Sequence, residues 1–455
     1  MRRHVHLVGI GGAGLSAIAR VLFERGEIVS GSDRAASAYS EALERLGVRV
    51  VYGHFPANVI GADLVLASSA VPDANPELAA ARERGIPVVR RTEFLGELTA
   101  GYRTTAIAGT HGKTTTTALV AWILESAGRS PSFIVGGIIQ NLGTNARTGS
   151  GRDFVIEADE YDRTFLGLQP DVAIVTNVEH DHPDCYPTPE SFQDAFQRFV
   201  SQVREHLIVC LDNPGAASLE HAGVARTTYG WNPDADWRPE KLTPNEIGGL
   251  DFFAQRTGRS VGRIRSQLPG EHNALNILAA IAAASYFDVP FEVIQGAVEG
   301  FRGTGRRFEI MGVAAGVAVI DDFAHHPTEV RATLAAARQR FPQGRIWAVF
   351  QPHTYSRTRT LLASLTQSFK DADHVLVTEV FAAREHLDLS ISGKVLSEVI
   401  EHEDVGFVAD FDEAADRLVQ GARAGDAIVI MSAGDANQIG RMVLDRLGGK
   451  PGGRR

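Results

Sequence analysis

An α/β protein of three consecutive units with largely parallel sheets is what this sequence predicts, on three observations. Apolar strand-like runs alternate with helical patterns almost throughout. Two glycine-rich turns, Gly9–Gly14 and Gly109–Gly112, each follow a strand and open a helix. The 455-residue length gives room for roughly three domains.

The bulk composition narrows the function classes. Hydrophobic residues make up 44% and charged residues 22%, which is ordinary for a globular chain. Net charge is −10, and the only basic tract is the Arg454-Arg455 tip, which argues against a nucleic-acid partner. Cys185 and Cys210 follow no metal-ligand spacing, and a chain of this size needs no disulfide. The N-terminal Met1-Arg2-Arg3 and Ala17-Ile18-Ala19 mimic a signal peptide, but Gly9, Gly11, Gly12 and Gly14 interrupt its apolar core. No apolar run is long enough to span a bilayer. The expectation is a cytoplasmic protein without membrane insertion.

The first unit is expected over residues 1–100, with strands at Val5–Val8, Glu27–Ser30 and Leu64–Ala67. Gly9-Ile10-Gly11-Gly12-Ala13-Gly14 matches G-x-G-x-x-G directly after a strand, and Asp33 stands 19 residues beyond Gly14. This is the Rossmann arrangement, with glycines for close approach to a diphosphate and an acid for a ribose hydroxyl. NAD or the diphosphate of a UDP-sugar would serve it equally.

The second unit, residues 101–302, opens with a strand near Thr105 and the stretch Ala108-Gly109-Thr110-His111-Gly112-Lys113-Thr114-Thr115. It reads as a shortened phosphate-binding loop, with two residues between the glycines where the general pattern has four. Backbone N–H groups and the helix start would cradle phosphates, and Lys113 would reach the β- and γ-phosphates. Thr114 or Thr115 would offer a hydroxyl to magnesium. Strands follow at Phe154–Ile156, Val172–Thr176 and Leu207–Leu211, then a more irregular stretch from Tyr229 to Gly262. Glu157, Asp159, Glu160 and Asp162 crowd the end of one strand, where a metal on a triphosphate would sit. Asn177-Val178-Glu179-His180-Asp181-His182 follows the next; spacing alone does not choose between the two histidines, or between Glu157 and Glu160. Asn273 and Asn276 open a helix and read as caps on local physics.

The third unit is expected over residues 303–455, after a candidate hinge at Gly303-Thr304-Gly305. Its strands fall at Val317–Ile320, Ile346–Phe350, His374–Thr378 and Ala427–Met431. The glycine- and arginine-rich tail 448–455 is expected to be disordered.

Taken together these motifs resemble the Mur ligase family, the ATP-dependent amide-forming enzymes of peptidoglycan precursor synthesis. Gly109–Thr115, Glu157–Glu160, Asn177…His182 and His272-Asn273…Asn276 occur in the family's order. The resemblance runs from His4 to Gly440 and is strongest to the alanine-adding branch. That branch's marks are Gly9–Gly14, Gly31-Ser32-Asp33, Ser68-Ser69-Ala70-Val71, Asn75-Pro76-Glu77, Gly303–Phe308, His325–Val330 and Phe350–His353.

The resemblance implies ATP with Mg²⁺ (or Mn²⁺) as cofactors, UDP-N-acetylmuramate and L-alanine as substrates, and a monomer or weak homodimer. It implies that Gly11, Gly12, Gly14, Ser32, Asp33 and Ser69 grip the UDP-sugar. Gly109, Thr110, His111, Gly112, Lys113, Thr114, Thr115, Asn273, Asn276 and Asp322 would hold the nucleotide, and Thr114, Glu157, Glu160 and His182 the metal. Lys113, His182, His325 and Arg306 would be catalytic, and His353 and Arg357 would meet L-alanine, Arg357 as a fork on its carboxylate. Departures from the family's wording are Leu15 for Met, Phe323 for Tyr, Ser432 for Gly, and the stretch Glu379–Glu385. No lysine lies between Lys113 and Lys241, so the carbamylated lysine of many family members has no counterpart, as in the alanine-adding branch.

Overall fold

The computed structural model describes residues 2–448 and lays them out as three sheets in chain order. All but Gly448 of the tail 448–455 lies outside the described residues. The first sheet contains Arg49–Tyr52, Ile28–Asp33, His4–Val8, Leu64–Ala67 and Val88–Arg90 in that spatial order, all parallel. Strand order reverses at His4–Val8, so the crevice outside its C-terminal end, between Gly9–Gly14 and Ser68-Ser69, is where such a sheet takes a ligand. Helix Ala13–Glu24 leaves the glycine turn and buries Leu15, Ile18, Val21 and Leu22.

The middle sheet has ten strands with Arg103–Ala108 inside it, flanked in parallel by Val172–Val175 and Asp153–Glu157. Ala106, Ile107 and Ala108 are fully buried, as a strand covered on both faces requires. The stretch read as irregular from Tyr229 to Gly262 is instead part of this sheet. Trp237–Pro244, Leu250–Arg256 and Arg259–Ser266 form an antiparallel extension at one edge. Bulges between Glu240 and Thr243 and between Ala254 and Gln255 shift the register, and with it the two-residue alternation that would announce a strand. Ser132–Ile139, unmarked because Gly136-Gly137 dilutes its apolar pattern, is another strand of the sheet.

The third sheet has six strands, five of them parallel, with Val317–Asp322, Ala427–Ser432 and Ile346–Gln351 adjacent. Its two faces carry their own apolar clusters, whereas one continuous cluster runs from Val5 and Leu22 through Phe94 and Leu98 to Phe165 and Phe196. The first two domains are therefore packed as one body. Gly167 marks how tightly: a Cβ there would lie 1.8 Å from the Thr92 carbonyl oxygen. The expected hinge is fastened to the middle sheet. Thr304 bridges to Ile139, Gln140 N–H donates to the Gly303 carbonyl at 3.0 Å, and Gly305 N–H donates to the Ile138 carbonyl at 2.9 Å. No helix among the described residues is long and apolar enough to cross a membrane.

Candidate active site

The glycine turn of the first domain is held from below. Gly9 and Ile10 N–H both donate to the Ser32 carbonyl (2.8 and 3.0 Å), and Gly11 N–H donates to Asp33 Oδ2 at 2.8 Å. Ser32 is fully buried, and its hydroxyl donates to Glu77 Oε2 at 2.6 Å. Ser32 therefore shapes the turn, and its side chain is withdrawn from any ligand, contrary to the contact expected of it. Asp33 likewise spends one oxygen on the turn and the other on Arg34 N–H. Gly12 and Ser69 are exposed at the crevice. At Gly14, a Cβ would meet Arg91 Nη1 at 2.8 Å; that same arginine reaches Asp159 in the middle domain at 3.1 Å. Arg91 thus spans the two sites, and its position beside a domain boundary gave it no sequence signal.

In the middle domain, Gly112 caps helix Lys113–Ser126 with φ +78, and no side chain covers the helix's first turn. Its free N–H groups are open to an anion. A Cβ on Gly109 would lie 1.9 Å from Thr176 Oγ1, and one on Gly112 2.4 Å from Asn276 Oδ1. Lys113 Nζ donates to the Thr110 carbonyl at 3.0 Å and to Glu160 Oε1 at 2.9 Å. Burial opposes its charge, but Glu160, with Glu157 and Asp159, outweighs burial and raises its pKa. Thr114 Oγ1 donates to Glu157 Oε1 at 3.0 Å, and burial raises that carboxyl. His182 Nε2 stands 3.5 Å from Glu160 Oε1. His180 is turned away, with Nε2 2.8 Å from the Tyr186 carbonyl and its ring edge-on to Phe192. Both carboxylates thus face the loop, and of the two histidines only His182 does.

A cavity of about 160 Å³ opens beside the loop, lined among others by His111, His272, Asn273, Asn276, Thr304, Arg307 and Asp322. Asn273 and Asn276 are not caps. Gly270 holds that position, while Asn273 Nδ2 donates to the Pro269 carbonyl and Asn276 Nδ2 to Asn273 Oδ1. Thr304 is 2% exposed and its hydroxyl has no hydrogen-bond partner. Burial holds the His272 imidazole at about 4, so it lines the cavity uncharged. An orphaned hydroxyl, two glycines with no room for a Cβ and a helix start with free N–H groups fit a nucleotide. Hard oxygen donors from Thr114, Glu157 and Glu160 fit the magnesium that would accompany it, since magnesium takes one or two carboxylates plus phosphate oxygens.

The third domain closes over this region. His325 Nδ1 lies 2.9 Å from the Phe323 carbonyl, and burial lowers its pKa to about 4. Its Nε2 is thereby left as an acceptor, 4.0 Å from Asp181 Oδ2. Asp322 receives Phe308 N–H at 2.7 Å and Ala324 N–H at 2.8 Å at the cavity wall. Two expected roles change. Arg357 is 5% exposed, and its Nε and Nη2 fork grips Asp181 at 2.7 and 3.3 Å, with Nη1 2.8 Å from His353 Nδ1. A substrate carboxylate would have to displace Asp181 to use that fork. Burial and the neighbouring charges of His325 and Arg357 hold His353 at about 3. Arg306 points into its own domain, with Nη2 2.6 Å from the Ser432 carbonyl and Nε 3.2 Å from Asp321 Oδ2. Arg307 is the one that faces the cavity, and adjacent arginines gave no means of choosing.

The seam between the domains pairs residues that no local pattern joins. His111 Nε2 is 2.9 Å from Glu179 Oε2, its Nδ1 is 3.2 Å from Glu329 Oε1, and Thr328 Oγ1 donates to Glu179 Oε1 at 2.8 Å. Burial alone would lower His111, but its bonds to Glu179 and Glu329 outweigh it and raise the pKa to about 9. Burial likewise pushes Glu179 up, and His111 overrides it and holds the carboxyl at about 2.

Comparison with known proteins gives three consecutive family matches. They are the Mur ligase family catalytic domain over residues 4–103, the Mur ligase middle domain over 107–284, and the Mur ligase glutamate ligase domain over 306–434. The chain is 44% identical over 464 residues to a UDP-N-acetylmuramate–L-alanine ligase of Roseiflexus sp. (strain RS-1), covering 98% of this chain and 99% of that one. The same named enzyme of Geobacter sp. (strain M21) is 42% identical over 97% of both chains. Among solved structures, the UDP-N-acetylmuramate–alanine ligase MurC of Thermotoga maritima superposes with a TM-score of 0.84 at 28% identity, covering 98% and 99% of the two chains. A murein peptide ligase of Psychrobacter arcticus superposes at 0.73, also at 28% identity, with the same coverage.

Proposed function

The chain belongs to the Mur ligase family, and from that premise we propose the reaction it carries out. It is an ATP-dependent ligase that joins L-alanine to the carboxylate of UDP-N-acetylmuramate in peptidoglycan precursor synthesis. Residues 1–100 take the UDP part, 101–302 the ATP, and 303–455 bring the amino acid. The observation that carries this reading is the convergence of three domains on one seam. The phosphate loop, the Glu157–Glu160 carboxylates and His325 meet there within reach of Arg91 and the first glycine turn.

The muramoyl carboxylate attacks the γ-phosphate of ATP, giving an acyl phosphate and ADP. The free amine of L-alanine then attacks the acyl carbon, and phosphate leaves as the amide forms. Lys113 and the N–H groups at the start of helix Lys113–Ser126 hold and neutralise the phosphates. Thr114 and Glu157, with Glu160 and His182, would hold the magnesium, which supplies further neutralisation of the transferring charge. Asn273, Asn276 and Thr304 line the base cavity, with Asp322 and Arg307 at its third-domain wall. His325, neutral at pH 7, offers Nε2 as an acceptor to the incoming amine. Closure excludes the water that would hydrolyse the acyl phosphate. The ATP-using chemistry and the free Cys185 and Cys210 suit a cytoplasmic protein.

The test is phosphate release from ATP and Mg²⁺ with UDP-N-acetylmuramate, with and without L-alanine, glycine, L-serine or L-Ala-γ-D-Glu-diaminopimelate. Release that needs both the sugar nucleotide and L-alanine is expected. Release only with the tripeptide would make the chain a peptide-recycling ligase, and no release with any acceptor would leave a UDP-sugar sensor.

A further inference from the structure

We propose that His111, Glu179 and His326 form a binding site for a zinc-class transition-metal ion at the seam between the middle and third domains, beside the nucleotide cavity that His111 also lines and distinct from the magnesium position at Thr114, Glu157 and Glu160. Among the described residues these three are the group whose donor atoms all lie within 4.8 Å of one another. His111 Nε2 is 2.9 Å and His326 Nδ1 4.0 Å from Glu179 Oε2, and the two imidazole rings are 4.6 Å apart. A tetrahedral ion with bonds of 2.0 Å has edges of about 3.3 Å. The two separations from Glu179 Oε2 bracket that edge and the third donor pair lies within 4.8 Å, so side-chain movement alone brings the three donors onto one ion.

The donor chemistry selects the metal. Two imidazoles and one carboxylate suit zinc, cobalt or nickel, whereas magnesium prefers oxygen donors throughout. The surroundings also suit a metal. Glu329 Oε1 stands 3.2 Å from His111 Nδ1, the nitrogen facing away from Glu179, which is the carboxylate–histidine arrangement that orients metal-bound imidazoles. The Thr328 hydroxyl holds Glu179 Oε1 at 2.8 Å and leaves Oε2 turned to the histidines. His326 is fixed by its place before Pro327 at the head of helix Pro327–Arg340. Its contact from Thr328 N–H is long, at 3.3 Å, and is readily given up. Glu179 is 39% exposed on its side chain, which leaves the fourth position open to water.

The site takes two donors from the middle domain and one from the third, so a bound ion ties the phosphate loop to the closing domain. Turnover that needs reopening then slows, a consequence that rests on the ligase reading; metal binding itself does not. Cobalt(II) titrated into the nucleotide-free full chain tests the site directly. A visible absorption band of tetrahedral cobalt saturating at one equivalent is expected, resistant to excess Mg²⁺. His326→Asn, which keeps a capping side chain, should weaken cobalt by at least about tenfold, as should Glu179→Gln. His182→Ala should leave the band unchanged. No band, displacement by Mg²⁺, loss in His182→Ala, or full retention in His326→Asn would each overturn the proposal. Inhibition of alanine-dependent phosphate release by Zn²⁺ at saturating Mg²⁺, relieved in His326→Asn, is expected if the ligase reading also holds.

Discussion

Lys113 shows how much one side chain carries. It is the cation facing Glu160, with Glu157 and Asp159 nearby, in a pocket that burial makes costly for any unpaired charge. Lys113→Ala should lower ADP formation by about 10²- to 10⁴-fold with the secondary structure intact; turnover within tenfold of wild type would remove the phosphate-loop assignment. Glu77 carries a framework role of comparable weight. It is fully buried and receives Ser32 Oγ at 2.6 Å, Asn58 Nδ2 at 2.6 Å and Phe55 N–H at 3.2 Å, with His6 Nε2 also at 3.2 Å. Glu77→Ala leaves those groups stranded and should cost roughly 3–5 kcal/mol in urea unfolding. Because Ser32 also anchors the first glycine turn, the KM for UDP-N-acetylmuramate should rise as well. A loss below about 1 kcal/mol would show that the network tolerates a gap.

At the scale of elements, the phosphate loop is set by strand, turn and helix together. Gly109 has φ +139 and no space for a Cβ against Thr176, whose hydroxyl in turn donates to the His111 carbonyl at 2.6 Å. Gly109→Ala should therefore displace the loop, costing about 1–3 kcal/mol from backbone strain alone and raising the KM for ATP at least tenfold. Wild-type ATP affinity in that variant would mean the loop is softer than its packing implies. The apolar strands were legible because burial on both faces leaves runs such as Ala106–Ala108. The antiparallel extension 237–266 was not, because bulges interrupt its alternation and one face meets solvent.

At the scale of the whole molecule, the first two domains share a core while the third meets the middle one largely through polar pairs. Such a seam is expected to respond to pH. His111 stands at about 9, raised against burial by Glu179 of its own domain and by Glu329 across the seam, where it also packs against His326. The Glu329 share of that rise favours closure: it is full below 6.5 and is lost as pH climbs through 9. Glu179 is held at about 2 against burial, chiefly by His111 of the same domain, so its ionisation bears on the phosphate loop more than on closure. Small-angle scattering should show the radius of gyration growing between pH 7 and 9.5, and His111→Ala should flatten the rise. An unchanged radius in the wild-type protein would count against the latch.

The sequence by itself determined the α/β layering, the two glycine turns, the order of the three units and the family, because these depend on local periodicity and on short contiguous motifs. It also singled out Lys113, Thr114, Glu157 and Glu160, which lie beside strand ends, and left His180 and His182 open. Only the tertiary structure decided which of two neighbouring residues faces the site, as with Arg307 over Arg306 and His182 over His180. It alone brought His111 and Glu179 against Thr328 and Glu329, paired Arg357 with Asp181, and withdrew the Ser32 hydroxyl. These choices depend on side-chain direction and on contacts between residues as many as 218 positions apart (His111 to Glu329), and no local pattern encodes either.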